Sequence, residues 1–282
     1  MKIIKNKTFS KERALYAIKN ATVKNCSFSG EEDGESALKE CDFITAEQCN
    51  FKLRYPLWHV NDSQINDCNF YETCRAALWY DNGIKICNSR LNGIKALREC
   101  NNVSLLSSEV NSAEFSWKCS DVRLTDCAIN GEYAFFLCKN LNLTNVKFSG
   151  KYSFQYCENI RLNNCDLNTK DAFWHANGGV IENCVVKGEY LGWYSNNLTF
   201  INCKIIGTQP LCYCKNLTLI NCTMEDCDLS FEYSEVNATV NSQITSVKNV
   251  LKGKVVANSY GQIINEQSKY PLEALIITKG DN

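Results

Sequence analysis

A repeat of 19 residues constrains this chain more than any other feature of its sequence. Taking Ser120 as position 1, repeat units follow one another without insertion or deletion, beginning at Asn82, Asn101, Ser120, Lys139, Glu158, Asn177, Asn196 and Lys215. A two-residue insertion near Thr73 and a four-residue insertion around Glu31 to Gly34 carry the register back to Lys19. A fixed short period indicates a repeat architecture in which each unit packs on its neighbours.

Within a unit, apolar residues recur at positions 3, 5, 8 and 10, as at Val122, Leu124, Cys127 and Ile129. Spacing by two indicates strands, while Gly at position 12 and Asn, Asp or Lys at positions 1 and 2 indicate turns. We therefore predict an all-β fold, a single-stranded right-handed parallel β-helix of about eleven coils. We expect one domain over 1–282, in which residues 235–282 form irregular last coils and a cap.

The overall composition excludes several classes of function. The net charge of −1 does not suit a nucleic-acid-binding protein, which needs clustered Lys and Arg. No run of 18 apolar residues is present, so we expect no membrane span. The N-terminal segment has charges where a signal peptide needs an apolar stretch, and we therefore expect a cytoplasmic protein.

Most of the eighteen cysteines lie in two columns, at positions 8 and 19. Cysteine is a small apolar residue that fits a narrow interior, so we expect buried, reduced thiols. Stacked Cα atoms about 4.8 Å apart would allow disulfides, but parallel side chains do not suit the disulfide dihedral angle. No paired CxxC motif exists, and Cys212 and Cys214 have no His nearby, so we expect neither a metal nor a cofactor.

Positions 17 and 18 form a ridge of aromatic and charged residues, and all five tryptophans lie at position 17 and both histidines at position 18. Because these columns also contain Lys, Arg, Glu and Gln, we expect both to face outward at a bend. The ligand-binding candidates, on this ridge or beside it, are Arg54, Tyr55, Trp58, His59, Arg75, Trp79, Arg98, Trp117, Lys118, Trp174, His175 and Trp193.

Two functional interpretations fit this ridge. A row of exposed aromatic residues suits an oligosaccharide or polysaccharide, which predicts a carbohydrate-binding or carbohydrate-modifying protein. Alternatively, the ridge is the interface of a non-enzymatic scaffold with another protein or with a second copy of the chain. The catalytic candidates are Glu40, His59, Glu99, Asp171 and His175, but Glu40 and Glu99 would be about 14 Å apart, too far for a glycosidase pair. The sequence leaves open whether the protein is an enzyme.

Several motifs, among them RYPLWH (54–59), CRAALWY (74–80) and KYSFQY (151–156), resemble a bacterial family known as domain of unknown function 3737. The coil length, the Asn turns and the inward apolar columns resemble the right-handed β-helix class that includes pectate lyases and polygalacturonases. The first resemblance implies no activity. The second would imply clustered Asp residues on the ridge, and only Asp171 near His175 approaches that pattern.

Overall fold

The computed structural model describes residues 2–30 and 35–280, so the four-residue insertion at Glu31–Gly34 lies outside the described residues. The chain divides into two compact units, Met1–Asn142 and Leu143–Asn282. Each unit consists of parallel β-strands wound into a right-handed solenoid, which confirms the predicted fold. The expectation of a single domain stays a prediction.

In the first unit, each coil contributes strands to two long parallel sheets, and some coils contribute to a third, short sheet. The first sheet contains Lys2–Lys5, Lys19–Lys24, Asp42–Glu47, Asn61–Asn66, Asn82–Cys87, Asn101–Leu106 and Ser120–Thr125. The second contains Thr8–Phe9, Ser27–Phe28, Asn50–Phe51, Asn69–Phe70, Arg90–Asn92, Glu109–Asn111 and Ala128–Gly131. The third contains Leu57–Trp58, Leu78–Trp79 and Leu97–Arg98.

The second unit also has two long parallel sheets, and the strand Lys139–Thr144 spans the division between the units in the sequence. Its first sheet contains Glu158–Asn163, Asn177–Glu182, Asn196–Ile201, Leu217–Glu225, Glu235–Val240, Lys252–Ala257 and Leu275–Thr278. Its second contains Lys147–Gly150, Asp166–Asn168, Val185–Lys187 and Lys204–Ile206, the last also paired with Leu217–Glu225. A further parallel pair joins Gln243–Lys248 and Ser259–Ile264.

The strand pairing reproduces the register read from the sequence. Asn82 pairs with Asn101, one repeat away, whereas Asn61 pairs with Asn82 across the two-residue insertion. That insertion is accommodated by the 3₁₀ turn Glu72–Cys74. No helix in the described part of the chain has the length and apolar character that crossing a bilayer requires.

The number of coils differs from the prediction: the structure has about 14 turns, not eleven. One added turn precedes the register, since Lys2–Lys5 pairs in parallel with Lys19–Lys24. Others follow Glu235, where the sheet continues although the coil length varies: Glu235 pairs with Lys252, and Lys254 with Leu275. The loss of a strict period therefore changes the length of the turns without ending the sheet.

The corners of the coils depend on left-handed asparagines. Asn159 and Asn164, at positions 2 and 7, have φ of 58° and 54°. Asparagine tolerates this conformation better than most residues, and its side chain can also bond to the next coil. Such a bond joins Asn197 Nδ2 to Asn177 Oδ1 at 3.0 Å.

The interior is filled by columns of apolar side chains. In the first unit, Phe9, Phe28, Phe51 and Phe70 stack with centroid separations of 5.2, 4.8 and 4.6 Å. The predicted burial of the cysteines is confirmed for all except Cys87, which is partly exposed. A solenoid interior is narrow, and small apolar thiols suit the limited space between the sheets.

Candidate functional site

In the second unit, the ridge is formed by a bend in which every second residue is left-handed. In one coil, Asp171, Phe173 and His175 have φ of 51°, 63° and 55°. This alternation breaks the simple in-and-out pattern of a strand, so Phe173 is fully buried, Trp174 is half-buried and His175 is exposed. Left-handed bulky residues are unfavourable by about 1–2 kcal/mol each, so neighbouring coils must hold the bend in place.

Backbone hydrogen bonds to the coils on both sides supply that support. The N–H of Phe173 donates to the Ser153 carbonyl of the preceding coil at 2.9 Å. The N–H of His175 instead donates to the Trp193 carbonyl of the following coil at 3.0 Å. The bend therefore keeps a ladder of hydrogen bonds between coils although it is not a strand.

Side chains at position 17 hydrogen-bond to the backbone of the next coil. The indole N–H of Trp174 donates to the Tyr190 carbonyl at 2.7 Å, and that of Trp193 donates to the Gln209 carbonyl at 2.8 Å. Gln155 makes the equivalent bond through Nε2 to the Asp171 carbonyl at 3.1 Å. This column combines packing with a backbone hydrogen bond, which explains why both Trp and Gln occur in it.

Side chains at position 18 of the second unit form a ladder of stacked rings, which we call the tyrosine ladder: Tyr156, His175, Tyr194, Tyr213 and Tyr233. The first three are exposed and the last two are half-buried. Successive ring centroids lie 4.8, 5.2, 4.7 and 6.0 Å apart, and the first three pairs are nearly parallel. Tyr156 and Tyr194 are each 45% exposed. Because each ring face is covered by its neighbours, the ladder presents ring edges, phenol hydroxyls and an imidazole to the solvent.

In the first unit, Trp58 and Trp79 stack at 5.1 Å with an angle of 13° between the rings. Lys39 Nζ lies 4.4 Å from the centre of the Trp58 ring, and the Arg98 guanidinium lies 5.8 Å from that of Trp79. Tyr55 contacts both indoles. Cations near both indoles gain from the ring quadrupole, which explains how charged residues share this column with Trp.

These two indoles differ from the other tryptophans because their N–H groups are buried and have no acceptor within the described residues. The third tryptophan of the unit, Trp117, keeps the usual bond, from its indole to the Tyr133 carbonyl at 2.6 Å. Other indoles of the ridge donate to a backbone carbonyl in the bend of the following coil. The coil that follows Trp58 contains the two-residue insertion and its 3₁₀ turn, which alter that bend.

Position 18 of the first unit contains a more polar column. His59 stacks on Tyr80 at 5.2 Å, and Arg98 Nε lies 3.1 Å from Glu99 Oε1. Burial alone would raise the pKa of Glu99, but hydrogen bonds from Tyr80 and Arg98 outweigh it and lower that pKa. The hydrogen bond between Tyr80 and Glu99 raises the pKa of the Tyr80 hydroxyl. Glu99 is thus held as a carboxylate, the opposite of what a general acid needs.

The other predicted residues of the first unit lie around these columns. Arg54 forms an ion pair with Glu35 at 2.9 Å and lies against the Tyr55 ring. Arg75 is exposed beside the 3₁₀ turn with φ of 60°. Glu40 and Lys118 are exposed and left-handed like the rest of position 18.

The pairing of Asp171 with His175 is not realised as a direct contact. Asp171 is buried, and burial is the main reason that its pKa is raised, while the Lys170 charge lowers it. His175 lies in the tyrosine ladder between Tyr156 and Tyr194. Among residues 2–30 and 35–280, no group of His, Cys, Asp or Glu side chains is arranged to hold a metal ion.

The composition of the ridge points to Trp and His as binding residues, and the tyrosines of the ladder are not among the residues it predicts. Tyr156, Tyr194 and Tyr213 lie at position 18 of the repeat, in the same column as the predicted residue His175. Tyr233 was missed because one residue is inserted before it, so that Phe231 bonds to Pro210 where the exact period would place Leu229 or Ser230. Allowing that insertion would align FEYS (231–234) with LCYC (211–214) and would have extended the ladder.

Comparison with known proteins identifies a family. The model of a family described as "Protein of unknown function (DUF3737)" matches residues 2–277. A search of curated proteins found no match.

Several solved structures are similar in fold. The tailspike protein 3 of bacteriophage CBA120 is 10% identical with a TM-score of 0.42, and the match covers 100% of this chain and 57% of that one. The catalytic domain of a GH87 α-1,3-glucanase is 9% identical with a TM-score of 0.36, covering 99% and 64%. HetL, a pentapeptide repeat protein from Nostoc sp. strain PCC 7120, is 14% identical with a TM-score of 0.29, covering 77% and 90%. At these scores, the similarity supports no argument about function.

Proposed function

The chain belongs to the DUF3737 family of proteins of unknown function, and from the geometry of its ridge we propose that it binds carbohydrate chains. The observation that carries this proposal is the tyrosine ladder, a regular column of rings on a rigid support, of which Tyr156, His175 and Tyr194 are exposed. Tyr156 and Tyr194 expose 45% of their surface although they are large and partly apolar. Exposed aromatic residues in a contiguous row are typical of a binding surface.

The ladder offers hydrogen bonding at a regular spacing. The ring centroids of Tyr194 and Tyr213 lie 4.7 Å apart. Each phenol hydroxyl can both donate and accept a hydrogen bond. A carbohydrate chain has hydroxyl groups at a regular spacing and apolar C–H faces between them, so both parts of a tyrosine edge find partners. Because covered ring faces cannot stack on sugars, recognition depends on the edges of the rings.

Rigidity favours such binding. Each ring of the ladder lies between neighbours, and the backbone beneath is fixed by bonds such as Tyr194 N–H to the Cys212 carbonyl at 3.2 Å. Side chains already held in place lose little conformational entropy when a ligand binds. Tyrosine adds large contact area with few rotatable bonds.

The proposal is for binding. A carbohydrate-modifying activity would draw on Glu40, His59, Glu99, Asp171 or His175. Burial raises the pKa of Asp171, and a raised pKa suits a general acid. Asp171 is buried, so its carboxyl would first need access to substrate.

An array of bacterial, fungal and plant oligosaccharides tests this proposal, with Tyr194→Phe as the diagnostic variant. Phenylalanine keeps the ring stack but removes the hydroxyl, so we expect an unchanged melting temperature and binding weakened about 5- to 10-fold. Tyr71→Phe is the matched control, because Tyr71 is exposed but lies outside the ladder, beside Lys52. An array without any bound oligosaccharide, or equal binding by Tyr194→Phe and the wild type, would contradict the proposal.

A second function is supported by the composition of the same surface. Tyr, Trp and Arg are the residues that dominate the energetics of protein–protein interfaces, and the ladder could instead bind a second copy of the chain. Light scattering after size exclusion distinguishes the two functions. A dimer that Tyr194→Ala converts to a monomer would favour the interface.

A further inference from the structure

An open cleft of about 620 Å³ lies in the second unit, where the tyrosine ladder ends. It is lined by Glu232, Tyr233, Lys248, Asn249, Glu266 and Gln267. Every lining side chain is polar, and Tyr233 is also the last ring of the ladder. The cleft falls in the part of the chain where the strict period is lost.

Asn249 is the most firmly fixed of these residues. It is 2% exposed and left-handed, with φ of 44°. Its backbone N–H donates to the Ile264 carbonyl at 2.9 Å, and its carbonyl accepts from the Tyr233 N–H at 3.1 Å. A buried residue held at both backbone groups has its side chain placed by the fold.

The orientation of the Asn249 carboxamide follows from one further bond. Its Oδ1 accepts from the Glu266 N–H at 3.0 Å, so the oxygen faces the backbone and the NH₂ group takes the other direction. Within the described residues, no atom accepts a hydrogen bond from this NH₂ group, and it is not enclosed by protein. A buried side chain therefore presents a donor to the cleft.

An ion pair provides the second fixed group. Lys248 Nζ lies 3.1 Å from Glu232 Oε1, and the two side chains are 26% and 16% exposed. This bond, with the Glu232 charge, raises the pKa of Lys248, and the Glu266 charge adds to it. Two carboxylates and one ammonium give the cleft a net negative charge, which disfavours anionic ligands.

We propose that this cleft binds one uncharged sugar residue, the end of a carbohydrate chain that lies along the tyrosine ladder. Neighbouring sugar hydroxyls each need a donor and an acceptor. Asn249 and Lys248 supply donors, and Glu232 supplies acceptors, one of them 3.1 Å from Lys248 Nζ. Tyr233 connects the cleft with the ladder. The proposal rests on the proposed function for the rest of the chain, but it adds a defined end point and excludes uronic acids from it.

Saturation-transfer NMR of the whole protein tests the cleft with five single sugars: glucose, galactose, mannose, N-acetylglucosamine and galacturonic acid. We expect transfer to at least one neutral sugar and none to galacturonic acid. Asn249→Asp keeps an oxygen for the Glu266 N–H but replaces the donor, so binding of that sugar should weaken at least tenfold. Lys248→Met should weaken binding of that sugar to a similar extent. It replaces Asn249→Asp as the test variant if Asn249→Asp does not fold. Lys215→Met, at an exposed lysine outside the cleft, should bind as the wild type does.

Transfer to none of the neutral sugars would overturn this proposal, as would transfer to galacturonic acid or full binding by both cleft variants. The two proposals fail separately. Array binding that Tyr194→Phe weakens, together with no single-sugar binding, overturns the cleft and leaves the ladder. Single-sugar binding that Asn249→Asp removes, together with an empty array, leaves the cleft and overturns the ladder.

Discussion

The indole N–H of Trp174 donates a 2.7 Å hydrogen bond to the backbone carbonyl of Tyr190, one coil further along the chain. The indole also lies parallel to Trp193, with ring centroids 5.5 Å apart and an angle of 5°. Trp174 thus connects coils through both its ring and its nitrogen. Its first role is to hold the bend that displays His175 and the tyrosine ladder.

Trp174→Ala should lower the free energy of unfolding by about 3 kcal/mol, because it removes both the half-buried ring and the hydrogen bond. Trp174→Gln should lower the free energy of unfolding by about 1 kcal/mol less than Trp174→Ala does. Glutamine can keep the hydrogen bond, as Gln155 does at the equivalent position of the preceding coil. Urea unfolding monitored by circular dichroism measures both values. Equal losses for the two variants would show that the hydrogen bond contributes nothing.

Two glycines that are ten residues apart should respond differently to the same substitution. Gly188 has φ of 157°, and a Cβ there would lie 1.9 Å from the Thr169 carbonyl oxygen, so Gly188→Asn should cost about 3 kcal/mol or more. Gly178 has φ of 74° at a position where Asn159 and Asn197 are left-handed. Gly178→Asn should therefore change stability by no more than about 0.5 kcal/mol, as thermal unfolding would show.

Asp81 should make the protein less stable as the pH rises. It is 1% exposed in the position-19 column, where other coils have cysteine, and burial raises its pKa well above the ordinary value. At a pH between the ordinary pKa of the unfolded chain and the raised pKa of the folded chain, Asp81 is protonated only in the folded chain. The folded chain then binds more protons than the unfolded chain, so the free energy of unfolding falls as the pH increases. The Val60 N–H donates to Asp81 Oδ1 at 2.8 Å, whereas the Asp81 N–H donates to Cys100 Sγ at 3.4 Å.

Asp81→Cys would continue the cysteine column and should raise stability more at pH 8 than at pH 5. Urea unfolding at both values measures the difference. Asp166→Ser, at an exposed carboxylate, is the control and should not alter the pH dependence. The prediction is wrong if Asp81→Cys and the wild type lose stability equally between pH 5 and pH 8.

The cysteines should react with a thiol reagent in two classes. Cys87 is partly exposed and should react with the folded protein, while the remaining cysteines are buried and should react only on unfolding. Burial also raises the pKa of thiols such as Cys74, to about 12, and so reduces the reactive thiolate. Cys87→Ser should abolish the fast phase seen with an aromatic disulfide reagent. Several fast thiols in that variant would contradict the buried columns.

The sequence predicts much of this fold because the repeat is both regular and redundant. One coil gives an ambiguous pattern, but the same pattern in successive units defines inward columns such as Phe154 and Phe173. Mixed composition alone predicts outward columns at positions 17 and 18, but in the structure Trp174 at position 17 is half-buried and Cys212 there is fully buried, whereas His175 at position 18 is exposed. The geometric reason is the left-handed conformation of residues such as His175, which no propensity for bulky residues would indicate.

The parts that could not be predicted lie where the period fails. The cleft depends on Asn249 and Glu266, which come from turns of unequal length and meet only through the pairing of Gln243–Lys248 with Ser259–Ile264. The turns that follow Glu235 escape prediction for the same reason. The indole hydrogen bonds were also not visible, because their acceptors are backbone carbonyls, which carry no signal in the sequence.

The regular register has an evolutionary consequence. A coil in the second unit such as the one that contains Trp174 bonds to the coils before and after it through groups that those coils also contain. An in-frame duplication of such a coil would present the same surfaces to its neighbours as the original, so a longer descendant could arise in one genetic step. The copy number of the coil, more than the identity of any single residue, would then set the length of the ridge in such a descendant.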